Sequence, residues 1–201
     1  MSLPESVLFH SPYQPPYLTV GDWHPQPMEN FHGQTPPEYL LPWLLHTGSL
    51  TAALRHLSEG AFNVQILDQS WRQPSLEERR ALNLRDRSLA LIREVLLCGH
   101  GEPWVYARSV LPERSLSGQH RHLRNLDNRP LGELLFNRPD TRRGPIVLNQ
   151  LARNSRSQVE SLSSLSHRAW GRRSTFWMGD KPLLVAETFL SSFNPQTPPM
   201  T

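Results

Sequence analysis

The stretch LALIREVLLCGHGEPWVYARSVLP, residues 89–112, decides the fold. Its first ten residues are apolar apart from Arg93 and Glu94. Gly99-His100-Gly101 then supplies a tight turn, and a second β-prone run follows over residues 103–111. Two such runs across a glycine turn predict a β-hairpin. Alternation places Leu89, Leu91, Arg93, Val95 and Leu97 on one face of the first strand, and Trp104, Tyr106, Arg108 and Val110 on one face of the second.

Outward from the hairpin, residues 174–178 and 183–190 predict a further strand pair joined across Gly179-Asp180-Lys181. Residues 38–58 carry helical spacing through Tyr39, Leu40, Trp43, Leu44, Leu50, Ala53, Leu54 and Leu57. Thr47-Gly48-Ser49 breaks that run and offers an N-cap for a second helix. Residues 62–67 are β-prone, residues 77–84 suit a helix or a charged connector, and residues 119–136 have a helical cast. Helices before and between antiparallel hairpins predict an α+β domain, a single antiparallel sheet with helices on one face. A proline-rich arm is expected over residues 1–38, the domain over 39–193 and a loose tail over 194–201. Residues 153–168, rich in serine and arginine, read as an exposed insertion.

A chain of 201 residues is long enough for one domain with a true core. The net charge is +3, and Lys181 is the only lysine, so nearly all the positive charge is arginine. GC-rich coding is a plain source of such a bias. Arginine also suits bidentate binding of carboxylates or phosphates, and eleven of these residues cluster between Arg121 and Arg173. Cys98 is the only cysteine, which excludes an intrachain disulfide and a cysteine zinc site. His120 and His122 lack further ligands at metal-binding spacing, so no metal is expected. No signal peptide and no membrane span are read, which predicts a cytoplasmic protein. Ser-His-Asp, P-loop and dinucleotide-binding patterns are absent.

The chemical signal is charge inside apolar strands. Both faces of residues 183–190 are apolar, and Glu187 sits among them. A carboxylate there requires a partner or a raised pKa. Arg93 poses the same problem, and Arg108 is the third case. One reading is a buried ion-pair network among the three. The other is a pocket that presents two guanidinium groups and one carboxyl to an anionic ligand. Glu94 follows Arg93 on the opposite face, where a neighbouring basic residue would pair with it.

These residues lie in blocks that resemble the bacterial chorismate lyases of the ubiquinone pathway. The blocks are LIREVLLCGHGEPWVYARSVLP (91–112), SLSG (115–118), PLGELLF (130–136), WGRRS (170–174) and GDKPLLVAETFL (179–190), in the family's order. The similarity spans about residues 40–190. It implies a monomeric α+β fold with helical flaps over an internal site, and a cofactor-free lyase that expels pyruvate from chorismate to leave 4-hydroxybenzoate. It further implies Arg93 at the ring carboxylate, Glu187 at the ring hydroxyl, Leu131 beside the ring, and Leu50 where the family has a flap methionine. Arg108 falls to the enolpyruvyl carboxylate. Glu187, Arg93 and Arg108 are then the catalytic set, with Leu131 and Leu50 completing the substrate site. Two departures are the extra proline-rich arm and a longer segment between Phe136 and Trp170.

A second class of function is an effector-sensing domain of the same fold, which in transcription repressors follows a winged helix. The residues before Leu40 are too few and too proline-rich for that module. Nucleic-acid binding is the third class, and no recognition motif supports it.

Overall fold

The computed structural model describes residues 23–25, 35–152 and 168–200. The expected serine-rich insertion and most of the proline-rich arm lie outside the described residues.

In chain order the elements are β1 (His24–Pro25), α1 (Leu41–Leu45), α2 (Leu50–Leu57), β2 (Phe62–Arg72), α3 (Leu76–Ala81), β3 (Ala90–Gly99), β4 (Glu102–Pro112), α4 (Leu131–Phe136), β5 (Thr141–Arg143), β6 (Val147–Ala152), β7 (Arg168–Met178) and β8 (Lys181–Phe189). Two 3-10 segments, Glu113–Ser115 and Gly118–Arg124, lie between β4 and α4. The strands form one antiparallel sheet in the order β1-β6-β7-β8-β4-β3-β2, with β5 beside the far end of β7.

The β3–β4 turn needs two left-handed residues, met by His100 at φ 52° and Gly101 at φ 83°. Gly99 is required for another reason: a Cβ there would lie 2.1 Å from the Trp104 ring. Ser49 caps α2 by accepting from the Ala52 amide at 3.3 Å, as its sequence position predicts. Ser75 and Glu78 form a capping box that starts α3.

The sheet is covered on both faces. On its front face, α1 and α2 pack Trp43, Leu50 and Leu54 against Val95, Leu97 and Phe189. A second front cluster joins Leu123, Leu126, Leu131 and Leu135 to Leu91, Leu111 and Phe176. On the back face, α3 and the loop after it bring Leu82 and Leu84 to Ala90, Ile92, Val110 and Leu184. The C-terminal segment returns to the front layer, where Phe193 meets Trp43 edge-on at 5.0 Å and the Thr197 carbonyl accepts from Trp43 Nε1.

The two front clusters leave a polar belt between them. One cross-strand row runs Arg93, Ser109, Val185, Ser174, and the next runs Val95, Ala107, Glu187, Arg172, Leu148. These rows place the candidate site.

Candidate functional site

Arg93 enters the belt from β3 and is 2% exposed. Its Nη2 donates to the carbonyls of Asp127 (2.8 Å) and Arg129 (3.2 Å), in the loop leading into α4. Its Nε is buried without an acceptor. Burial lowers its pKa to about 10, with the exposed Asp127 carboxylate offsetting part of the effect.

Glu187 enters from β8 on the same face, one row away. It pairs with Arg172 of β7, not with Arg93: Arg172 Nε donates to Glu187 Oε2 at 2.7 Å. Arg172 is 1% exposed, and its Nη1 donates to the carbonyls of Trp43 (2.9 Å) and His46 (2.6 Å). Among the described residues Glu187 Oε1 receives no hydrogen bond, and the carboxylate side chain retains 15% exposure.

A third guanidinium arrives from β5. Arg143 Nε donates to Ser174 Oγ (3.0 Å), and Nη1 donates to the carbonyls of His46 (3.3 Å) and Thr47 (3.0 Å). Burial, then the positive charge of Arg172, push its pKa down to about 10. His46, in the α1–α2 turn, is likewise held below the ordinary histidine value, first by burial and then by Arg172.

The floor between these charges is made of small side chains, Ala107, Ser109, Val185 and Ser174. Ala107 and Val185 are 7% and 8% exposed, in central strands beneath a helical layer. Leu50 and Leu131 are buried in the two flanking clusters, at the starts of α2 and α4. Arg143 and Arg172 therefore meet at the His46 carbonyl, with Arg93 in the adjoining row, and among the described residues Glu187 is the one carboxylate hydrogen-bonded to any of the three. The surplus is positive and buried. Guanidinium charge that is held in place but not cancelled suits an anionic ligand.

Arg108 is not part of this gathering. Arg93 stands opposite Ser109, so Arg108 stands opposite Glu94 and points to the back face. There its Nε and Nη2 donate to Glu78 at 2.7 and 3.1 Å, and its Nη1 donates to Glu94 Oε1. Tyr106 and Arg72 also donate to Glu94. Burial alone would lower the Arg108 pKa, but the charges of Glu78 and Glu94 hold it above the ordinary arginine value. Arg108 thus carries two buried carboxylates on the opposite face of the sheet from Arg93 and Glu187, whereas the sequence reading expected all three around one ligand. Glu94 does find the basic neighbour expected for it.

The sequence reading of buried charge reached Arg93 and Glu187 but missed Arg143 and Arg172. Arg172 lies in the WGRRS block, and the strand alternation that buries it while turning Arg173 to the back face was the available signal. Arg143 reaches the site from a three-residue strand that carries no pattern of its own.

Comparison with known proteins adds a family. The chorismate lyase family model matches residues 26–196. The chain is 43% identical over 148 residues to a probable chorismate pyruvate-lyase of Marinobacter nauticus, covering 74% of each chain. It is 37% identical to that of Shewanella loihica, covering 92% of this chain and 88% of the relative. Among solved structures, the C-terminal domain of a histidine utilization repressor from Pseudomonas syringae superimposes with a TM-score of 0.53 at 11% identity, over 70% of this chain and 99% of that one. The effector domain of PhnF from Mycobacterium smegmatis gives 0.51 at 14% identity, over 74% and 91%. These two likenesses concern the fold alone.

Proposed function

The chain belongs to the chorismate lyase family, and from that membership we propose that it is a chorismate pyruvate-lyase whose product is 4-hydroxybenzoate. The observation that carries the reading is the enclosed surplus of guanidinium groups around a small-residue floor, with one carboxylate among them.

Chorismate is a dicarboxylate on a non-aromatic ring. In the reaction the ring carbon bearing the hydroxyl loses its proton and the neighbouring C–O bond to the enolpyruvyl group breaks. The electron pair aromatises the ring, and the released enolpyruvate gains a proton at its methylene to become pyruvate. Aromatisation drives the step, so the protein supplies orientation and electrostatic support. Arg93 takes the ring carboxylate, which gives its buried Nε an acceptor. Glu187 accepts from the ring hydroxyl through Oε1 and lies beside the carbon that loses its proton. Leu131 and Leu50 close the site from the starts of α4 and α2. The helical cover excludes water, which strengthens each charge and favours slow release of the flat product. The enzyme acts as a cytoplasmic monomer that supplies 4-hydroxybenzoate to ubiquinone synthesis.

The test is incubation of the purified protein with chorismate, with pyruvate followed by coupled reduction and 4-hydroxybenzoate by its absorbance. Both products should form in equal amounts. Saturable binding of 4-hydroxybenzoate with no pyruvate would make the protein a sensor of aromatic acids.

A further inference from the structure

Two arginines of the belt have no counterpart in the contacts so far assigned to the ring carboxylate and hydroxyl. Arg143 and Arg172 both donate to the His46 carbonyl, so two like charges are gathered at one neutral acceptor. Arg172 spends Nε on Glu187 and Nη1 on carbonyls, and Arg143 spends Nε on Ser174 and Nη1 on carbonyls. Among the described residues the Nη2 of each makes no hydrogen bond. Arg93 stands at the other end of the row, with β4 and β8 intervening before Ser174 on β7. Three strand spacings separate the Arg93 and Ser174 backbones by about 14 Å. Arg93 and the Arg143–Arg172 pair thus stand toward opposite ends of the small-residue floor.

We infer that Arg143 and Arg172 together receive the second carboxylate of the substrate, the enolpyruvyl one, through their two uncommitted Nη2 groups. The inference rests on the lyase reading, because intact chorismate carries that carboxylate and 4-hydroxybenzoate does not. It makes the pair specificity-determining: Arg93 recognises substrate and product alike, whereas Arg143 with Arg172 tells substrate from product. It also gives the product a route out, since cleavage leaves pyruvate holding the second clamp and 4-hydroxybenzoate holding the first.

The experiment compares Arg143→Met and Arg143→Lys with the unmodified protein, using turnover of chorismate, binding of 4-hydroxybenzoate, and binding of two inert probes. The probes are 3-(carboxymethoxy)benzoate, which has both carboxylates, and 3-methoxybenzoate, which has one. The unmodified protein should prefer the dicarboxylate by about tenfold or more, as a charge-assisted contact implies. Arg143→Met should lose that preference and drop at least about tenfold in kcat/KM for chorismate, while its 4-hydroxybenzoate affinity stays within about threefold. Arg143→Lys, which keeps a point charge but not the fork, should fall between and serves alone if the Met variant does not fold. Parallel loss of affinity for all ligands, or an unchanged dicarboxylate preference, overturns the inference. If the unmodified protein releases no pyruvate yet prefers the dicarboxylate in an Arg143-dependent way, the clamp stands and the lyase activity falls.

Discussion

Replacing Glu187 with Gln separates a hydrogen bond from a field. In the structure Glu187 Oε2 accepts from Arg172 Nε at 2.7 Å, which leaves Oε1 for a ligand hydroxyl in the proposed reading. Gln keeps the shape and an acceptor but removes the charge. A hydroxyl donating to a carboxylate is worth roughly 1.5–3 kcal/mol, against about 0.5–1.5 kcal/mol for a neutral acceptor. The preference for 4-hydroxybenzoate over benzoate should therefore drop by roughly 1–1.5 kcal/mol, or about five- to tenfold. The charge lost also acts on the ligand's own carboxylate across the ring. At about 8 Å and an effective dielectric near 20 that repulsion is about 2 kcal/mol, so benzoate should bind tighter to the variant. Using benzoate as the reference cancels the field and isolates the hydrogen bond. The assay is isothermal titration of both ligands into both proteins. An identical 4-hydroxybenzoate-to-benzoate ratio in the two proteins would refute the placing of Glu187 at the hydroxyl.

Two further outcomes test the division between the faces of the sheet. Arg93→Ala should weaken 4-hydroxybenzoate by about 3 kcal/mol, or roughly 100-fold, because the carboxylate would be enclosed without its fork; titration showing near-normal affinity removes Arg93 from the site. Arg108→Met should leave that affinity within about threefold yet cost roughly 3–5 kcal/mol of stability, read as a melting point lower by several degrees, since Glu78 and Glu94 would stay buried. Burial raises the Glu78 pKa, but Arg108 outweighs it and the net shift is downward. Glu78 therefore stabilises the native protein above its unfolded pKa, and that contribution is lost as pH falls through its lower folded value. Without Arg108 only the Ser75 hydrogen bonds oppose burial, so the variant's melting point should fall less steeply on acidification than that of the unmodified protein, and a parallel curve would contradict the assignment.

The hairpin was legible because its apolar runs and glycine turn are local, and so was the cap at Ser49, which needs only its neighbours. What was not legible is the register that decides where Arg108 points. Gly99 pairs with Glu102 and Cys98 with Pro103; carried along the strands, that register would set Arg93 opposite Arg108. A bulge between Leu97 and Cys98 shifts the pairing by one, so that Leu97 meets Val105 and Arg93 meets Ser109. Trp104 is the extra residue, and it joins Val105 in the front cluster while lying over Gly99. One inserted residue thus moves Arg108 to the other face, and no periodicity in the sequence reports it. Arg143 and Arg172 escaped for a different reason. Their meaning comes from long-range contacts with the α1–α2 turn, and composition gave only an arginine excess without an address.

The two faces handle buried charge in opposite ways. Behind the sheet, Arg108 is bonded to two carboxylates, Arg72 to Asp68 and Glu94, and Arg173 to Glu77. Those cations are neutralised by the fold, and the network fastens α3. In front, the acceptors are mostly backbone carbonyls: Asp127 and Arg129 for Arg93, Trp43 and His46 for Arg172, His46 and Thr47 for Arg143. A carbonyl satisfies a donor without cancelling its charge, so these guanidinium groups can be held in place and still attract an anion. Those carbonyls belong to α1 with the turn after it and to the loop before α4, the segments over the front face. The guanidinium groups that face the ligand therefore also fasten the segments that cover it.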